Sequence, residues 1–461
     1  MFVSRGSMGL VMRVSKQIRC CISVAIALGF AALVYRSTKA SNRNLEPRVG
    51  AQTPHAPPIP AEGPLAGPKS LTQVGVPVEA TRAAVPADNP QAPAKIALGE
   101  KLFFDGRLSV DETVACSTCH DPALAFTDGR PVSIGVKGRA GQRNAPTILN
   151  ALYNSAQFWD GRAKTLEDQA ALPIMNPSEM GQPSLEAAVA QIALLPEYEQ
   201  AFRRVFGRPI NGTDLVRAIA SYERTQFSFD SPFDHFMAGD QTAIRDSAKR
   251  GWDLFNTKAR CNKCHALSED KRDPTFFIDK DFHNIGIGII RHNVAALACK
   301  AEQEIDSGKA IDVDQAAIQN ETSVVGRFLV TKKEQDIASF KTPSLRNALI
   351  TAPYFHDGSQ ATLWDVVDHY NHGDGLKDPW LDEDMQPLAL SESEIDDIVD
   401  FLATLTSAQY QQLGAKELAR QQVVSRINRP QRDTARAFGP KPVQPKPSRS
   451  CVAAQPETTP K

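Results

Sequence analysis

Two copies of the pattern Cys-x-x-Cys-His carry the chemistry of this chain: Cys116-Ser-Thr-Cys119-His120 and Cys261-Asn-Lys-Cys264-His265, 145 residues apart. In this spacing two thiols can bond to the vinyl groups of a haem, while the following imidazole reaches the iron from the proximal side. Zinc fits less well, because a structural site takes four ligands, usually from two such pairs in one small lobe. A thioredoxin-like redox pair needs no His behind it. The motifs therefore predict two covalently bound haem c groups. One is held by Cys116, Cys119 and His120, the other by Cys261, Cys264 and His265.

The elements around these motifs are duplicated. Residues Pro146 to Asp168 align without a gap on Pro343 to Asp365 at an offset of 197, with 10 of 23 columns identical. The matches include Asn150/Asn347, Phe158/Phe355, Asp160-Gly161/Asp357-Gly358 and Thr165-Leu166/Thr362-Leu363. A second echo precedes each motif, Gly99-x-x-Leu102-Phe103 and Gly251-x-x-Leu254-Phe255. Two units mean a doubled domain and not a solenoid. The growth of the offset from 145 to 197 places 52 additional residues between His265 and Pro343. Helical periodicity dominates, as at Leu185, Val189, Ile192 and Leu195 or at Leu215, Ile219 and Tyr222. Strand-like alternation is confined to short stretches such as Val324 to Val330. The expected fold is all-α, two tandem cytochrome-c-like haem domains over residues 90–245 and 246–427.

The ends read differently. Arg5, Arg13, Lys16 and Arg19 precede an apolar run from Cys20 to Tyr35, the layout of a signal peptide or N-terminal anchor over residues 1–40. The run is short of the roughly 20 residues a spanning helix needs, and an uncleaved membrane anchor stays open. Cys20 and Cys21 open the run, which argues against lipid attachment. A Pro/Ala-rich linker occupies residues 41–89, and residues 428–461 read as a disordered Pro-rich tail. Export to the periplasm suits the haem motifs. Cys299 and Cys451 remain as a disulfide or as free thiols. A net charge of −1 without a Lys/Arg stripe gives no support for a nucleic-acid partner.

The second axial position of each iron decides between electron transfer and chemistry. Thr362 and Asp365 begin a helix whose Leu363, Val366, Val367 and Tyr370 share one face. Tyr370 lies on the stripe that would cover the second haem, with His369 off it; Met385 and His372 are further candidates. The first-half equivalent of Tyr370 is Pro173, which cannot ligate iron. Near it stand Gln169 and Glu179. A carboxylate over an open haem could move a proton between the oxygens of a bound peroxide, and an amide could hold it. The plainer readings are a core Tyr and two solvated side chains.

The stretch Arg143-Asn-Ala-Pro-Thr through Phe158-Trp-Asp-Gly-Arg162, the segment Asn176-Pro-Ser-Glu179-Met and the segment Thr351-Ala-Pro-Tyr-Phe-His-Asp-Gly358 resemble the bacterial di-haem cytochrome c peroxidase and MauG family. The resemblance covers about residues 90–410. It implies a peroxidatic first haem, an electron-transfer second haem and a calcium ion between the lobes. Position by position, Glu179 matches the acid/base carboxylate, Gln169 the distal amide and Trp159 the tryptophan between the haems. Asn144 with the carbonyls of Thr351 and Pro353 matches the calcium ligands. His356 falls near the inter-lobe region with no ligand role. Where the classical peroxidases carry a His over the first haem, this chain has Val136. Where they carry Met on the second haem it has Tyr370, as MauG-like members do. His283 lies in a motif often found near the second haem, and His292 and Cys299 read as loop residues.

The leading expectation is a periplasmic peroxidase that reduces hydrogen peroxide with electrons from a small cytochrome c, a cupredoxin or quinol. The alternatives are MauG-type oxidation of a partner protein's side chains and a non-catalytic di-haem electron carrier. The family also includes homodimers.

Overall fold

The computed structural model describes residues 82–266, 276–288, 294–306, 313–318, 322–373 and 380–437, all within one compact unit. The expected N-terminal segment, most of the linker, His292, Cys20, Cys21, Cys451 and the end of the tail lie outside them. The first half contains α1 (Pro93–Phe103), α2 (Cys116–Cys119), α3 (Leu166–Met175), α4 (Leu185–Ala193), α5 (Pro196–Phe206) and α6 (Gly212–Glu223). After α7 (Pro232–Met237) the second half begins with α8 (Asp246–Asn256). An insertion follows with β1 (Phe282–His283), α9 (Val294–Asp306), α10 (Val313–Ile318), α11 (Phe328–Thr331) and β2 (Phe340–Lys341). The chain then forms α12 (Leu363–His372), α13 (Glu392–Ala403) and α14 (Gln411–Ala437). β1 and β2 pair antiparallel in a two-residue ladder, so helix is the architecture and the sheet is a clasp.

The duplication is a structural one. α3 and α12 begin and end at the same offset of 197. Each is started by a Thr side chain that accepts the backbone N–H three residues on, Thr165 from Asp168 and Thr362 from Asp365. Positive φ values recur at Asn150 and Asn347, at Phe158 and Phe355, and at Gly161 and Gly358. In each half the first helix crosses a later one at a glycine, α1 on α6 and α8 on α13. A Cβ on Gly99 would stand 1.8 Å from the Ala218 carbonyl, and one on Gly251 would stand 1.9 Å from that of Asp397. Only hydrogen fits there, so the two helix axes approach closely.

An internal pseudo-two-fold relates the halves. The Asn144 N–H donates to the His356 carbonyl (2.8 Å), and its equivalent, the Lys341 N–H, donates to the carbonyl of Trp159, the equivalent of His356 (2.7 Å). The Trp159 and His356 rings meet edge to face at 6.5 Å, and Ser228 Oγ meets Ser407 Oγ at 2.5 Å. One apolar core runs through both halves. The insertion builds a second, smaller core from Val294, Ala298, Val325, Phe328 and Leu329.

Three expectations need correction. Val324 to Val330 is not a strand: Gly326, at φ +62, breaks it into a short turn of 3-10 helix and α11, whose apolar residues fill the insertion core. The linker ends before residue 89, because Asn89 is buried and donates to Glu167 Oε1 (2.6 Å) and the Arg217 carbonyl (3.0 Å). The tail begins later than 428, since α14 runs on to Ala437 with Asn428 donating to Asp365 Oδ2 (3.0 Å). Cys299 is disulfide-bonded. No helix among the described residues is long and apolar enough to cross a membrane.

Candidate haem site

Each Cys-x-x-Cys-His segment coils into a single helical turn or 3-10 turn, Cys116–Cys119 and Cys261–Lys263, that ends at or just before its His. The backbone then returns to hold that His. His120 Nδ1 donates to the Phe126 carbonyl (3.0 Å) and His265 Nδ1 to the Phe277 carbonyl (2.7 Å). Both phenylalanines sit at positive φ, 60° and 57°, a strained conformation that aims the carbonyl. The preceding carbonyls are tied down in the same way, Ala125 by Thr147 Oγ1 (2.6 Å) and Phe276 by Ser344 Oγ (2.8 Å). The offset between halves grows from 145 at the His pair to 151 at the Phe pair and 197 at Thr147/Ser344. Most of the insertion therefore follows Phe277.

This arrangement suits an iron ligand. A hydrogen bond at Nδ1 fixes the tautomer and leaves Nε2 with its lone pair. Burial pulls both imidazoles below the usual histidine range, which keeps them neutral. Burial also pushes the Cys119 thiol up to about 11 and that of Cys261 to about 12, against a reactive dithiol. A competing metal cluster, Cys264 with Asp279 and His283, fails chemically. His283 is held between Asp279 Oδ2 (2.7 Å) and Asp382 Oδ2 (2.6 Å), which push it up to about 12. With both ring nitrogens engaged by carboxylates, neither offers a free lone pair to a metal.

One cavity gathers both Cys-x-x-Cys-His sets with Trp159, Gln169, Glu179, Tyr370, Asn144, Thr351 and Pro353. The structure also sorts the candidates for the second distal ligand. Tyr370 and Met385 line the cavity. His369 does not, and its Nε2 donates to the Ile285 carbonyl (2.8 Å); His372 Nδ1 is bound to the Asp368 carbonyl (2.7 Å). In the first half, Pro173 lines the cavity at the position of Tyr370. Val136 is buried in the core with its N–H donating to the Glu179 carbonyl (2.8 Å).

Glu179 follows α3 by a tight turn. Its Oε1 accepts from Asn176 Nδ2 (2.6 Å), and burial raises its carboxyl above the ordinary range, with Arg162 and Asn176 opposing. Trp159 Nε1 donates to the Asn144 carbonyl (2.9 Å). Asn144 Nδ2 donates to the Arg130 carbonyl (2.9 Å), so its Oδ1 is left over; the carbonyls of Thr351 and Pro353 accept no hydrogen bond among the described residues.

Sequence reasoning missed three features. Asp160 is fully buried between Arg143 Nη1 (2.6 Å) and Arg162 Nη1 (3.1 Å). Lys341 lines the cavity with its ammonium lowered to about 8 by burial. Glu223 is a buried carboxyl on the same cavity wall. Arg143, Asp160 and Arg162 all lie in the quoted motifs, but nothing in their spacing shows that they meet.

Residues 93–242 match the family described as di-haem cytochrome c peroxidase. The methylamine utilization protein MauG of Methylorubrum extorquens is 38% identical over 322 residues, 69% of this chain and 80% of that protein. The chain belongs to the di-haem cytochrome c peroxidase and MauG family. The cytochrome c551 peroxidase of Pseudomonas aeruginosa is 34% identical over 317 residues, 68% of this chain and 78% of that one. A solved MauG-like protein associated with microbial copper homeostasis superposes with a TM-score of 0.58 at 32% identity, covering 70% of this chain and 92% of that one. Membership makes the protein a haem-containing oxidoreductase of the peroxidase type, with two haem c groups as its cofactors.

Proposed function

We propose that the protein is a periplasmic peroxidase that converts hydrogen peroxide, two electrons and two protons into two waters, the first half holding the reactive haem. Haem iron, when bound, supplies the Lewis acid and the electrons for O–O cleavage. The chain supplies the rest. His120 and His265, each fixed through Nδ1, would hold the two irons. Glu179 would take a proton from one peroxide oxygen at its carboxylate and return it to the other. Its burial makes the carboxylate a stronger base, and Asn176 keeps Oε1 in place. Gln169 would orient the peroxide through its amide. Trp159, held by the Asn144 carbonyl, would lie on the electron path between the halves. Asn144 Oδ1 and the carbonyls of Thr351 and Pro353 are oxygen donors suited to calcium, with water completing the six to eight ligands this ion usually takes (about 6–8).

The observation that carries this reading is the asymmetry of one structural position: Pro173 in the first half, Tyr370 in the second, both on the cavity wall. With that asymmetry the first iron would be left open and the second would be capped by the Tyr370 phenol. Because Val136 is apolar and locked into the core, it would not close the first iron. Stopped-flow mixing of the fully oxidised protein with peroxide should therefore change the Soret band at once, without prior reduction. A low-spin, unreactive first haem overturns the proposal. Similarity to MauG and the phenol at Tyr370 favour a second reading, oxidation of a partner protein's side chains. Sluggish turnover with small cytochrome donors, with a trapped protein adduct, would select it.

A further inference from the structure

Helices α6 and α13 are related by an offset of 179, established twice. The glycine crossings pair Ala218 with Asp397. Independently, the Ser228 N–H donates to Asn150 Oδ1 (3.0 Å), as the Ser407 N–H donates to Asn347 Oδ1 (2.9 Å). In this register Ile219 stands for Ile398, and both line the cavity. Tyr222 stands for Phe401, and their rings meet Phe103 and Phe255 at 5.1 Å in each case. The next position breaks the symmetry. Glu223 stands for Leu402, each 5% exposed and each on the cavity wall.

The first half thus holds a carboxyl where the second holds hydrocarbon, and Glu223 Oε2 has no hydrogen-bond partner among the described residues. A buried carboxylate with an unpartnered oxygen is costly, and such a group survives by binding a proton. We propose that Glu223 is the redox-linked proton site of the first-half haem: its carboxylate binds one proton as that haem gains one electron, and releases it on reoxidation. This rests on the placement of a haem in the first half. The electron comes from the donor and the proton from solvent; no bond to the haem forms or breaks. A reduced haem carries one positive charge fewer, which favours the neutral carboxylic acid beside it.

The groups that face Glu223 are few. Arg224, just past the end of α6, donates Nη2 to Glu167 Oε2 (2.6 Å), while its Nε and Nη1 have no partner among the described residues. Glu167 adds negative charge from α3, and the Cys116 sulfur approaches from α2. From α1, Glu100 acts on the neighbouring Tyr222. Burial pushes the Glu223 carboxyl up to about 8, with Arg224 opposing and Glu167 assisting. Near neutral pH a change of one charge nearby is enough to tip such a group.

The test is a spectroelectrochemical titration of the full di-haem protein between pH 6 and 9, with the haem content measured alongside. One of the two haem potentials should fall by about 59 mV per pH unit, a tenfold change per proton for a one-electron couple. That slope should vanish in Glu223→Gln and Glu223→Leu while the other haem is unmoved. A pH-independent pair of potentials in the wild type, or a slope that persists in both variants, overturns the assignment. Should neither variant accumulate, the reduced-minus-oxidised infrared spectrum decides. A protonated-carboxyl C=O band must appear on reduction and shift in Glu223→Asp; its absence overturns the proposal. One haem per chain would instead overturn the placement of a haem in the first half.

Discussion

Replacing Asp160 by Asn should be among the most damaging conservative changes available in this protein. Asp160 is 0% exposed and balances two guanidinium groups that are themselves buried. Burial alone would raise its carboxyl, but Arg143 and Arg162 outweigh burial and hold it below the ordinary aspartate value. The cluster also joins parts of the chain. Arg143 donates to the Ser323 carbonyl (2.8 Å), Arg162 Nε to Asp314 Oδ1 (3.0 Å), and Arg327 Nη1 to the Asp160 and Gly161 carbonyls (3.0 Å each). Asparagine keeps the volume and removes the charge, leaving Arg143 without a counter-ion. Breaking a buried pair from one side costs about 3–5 kcal/mol. At about 2–4 °C per kcal/mol, the thermal midpoint should fall by roughly 6–20 °C. Unfolding followed by circular dichroism and by the Soret band, at neutral pH and matched haem content, reads this directly. The exposed pair Asp246–Lys249, with Asp246 88% exposed, is the control, and Asp246→Asn should leave the midpoint unmoved. A shift in Asp160→Asn no larger than in that control would refute the electrostatic argument. The sign of the pH effect is also set. A depressed carboxyl contributes stability above its unfolded value and loses it as pH falls through the folded one. Wild-type stability should therefore drop on acidification more steeply than that of Asp160→Asn.

Glu179→Gln keeps the contact with Asn176 and removes the proton carrier; kcat/KM for peroxide should fall by about 10²–10⁴-fold with unchanged haem spectra, and a loss under tenfold would count against the acid/base role. Gly251→Ala places a methyl 1.9 Å from the Asp397 carbonyl. It should cost about 1–3 kcal/mol or more by forcing α8 off α13, read as a lower thermal midpoint.

Much of this site was open to inspection in one dimension, because its parts are local. A Cys-x-x-Cys-His set spans five residues, so its spacing alone states which side chains share one turn. The repeat at 197 was legible for the same reason: α3 and α12 keep their Thr caps and their length, and with them the Pro173/Tyr370 contrast. The insertion was harder. Val324 to Val330 looks strand-like because its residues are apolar and β-branched, yet Gly326 and the insertion core decide its conformation.

Glu223 shows where one dimension stops. At the C-terminal end of a helix, beside Arg224, a glutamate looks like an ordinary solvated charge. Its burial follows from the close crossing of α1 and α6 at Gly99, which turns that helix end into the cavity wall. Asp160 is similar: its partners are near in sequence, but their shared burial depends on the insertion lying over them. Covalent motif, helix starts and the internal duplication were determined by the chain itself, since each rests on neighbours a few residues apart. Which polar groups lost their water, and hence which carry displaced protons and trapped charge, was decided only when the two halves and the insertion closed on each other, because desolvation belongs to the packed surfaces and not to any residue alone.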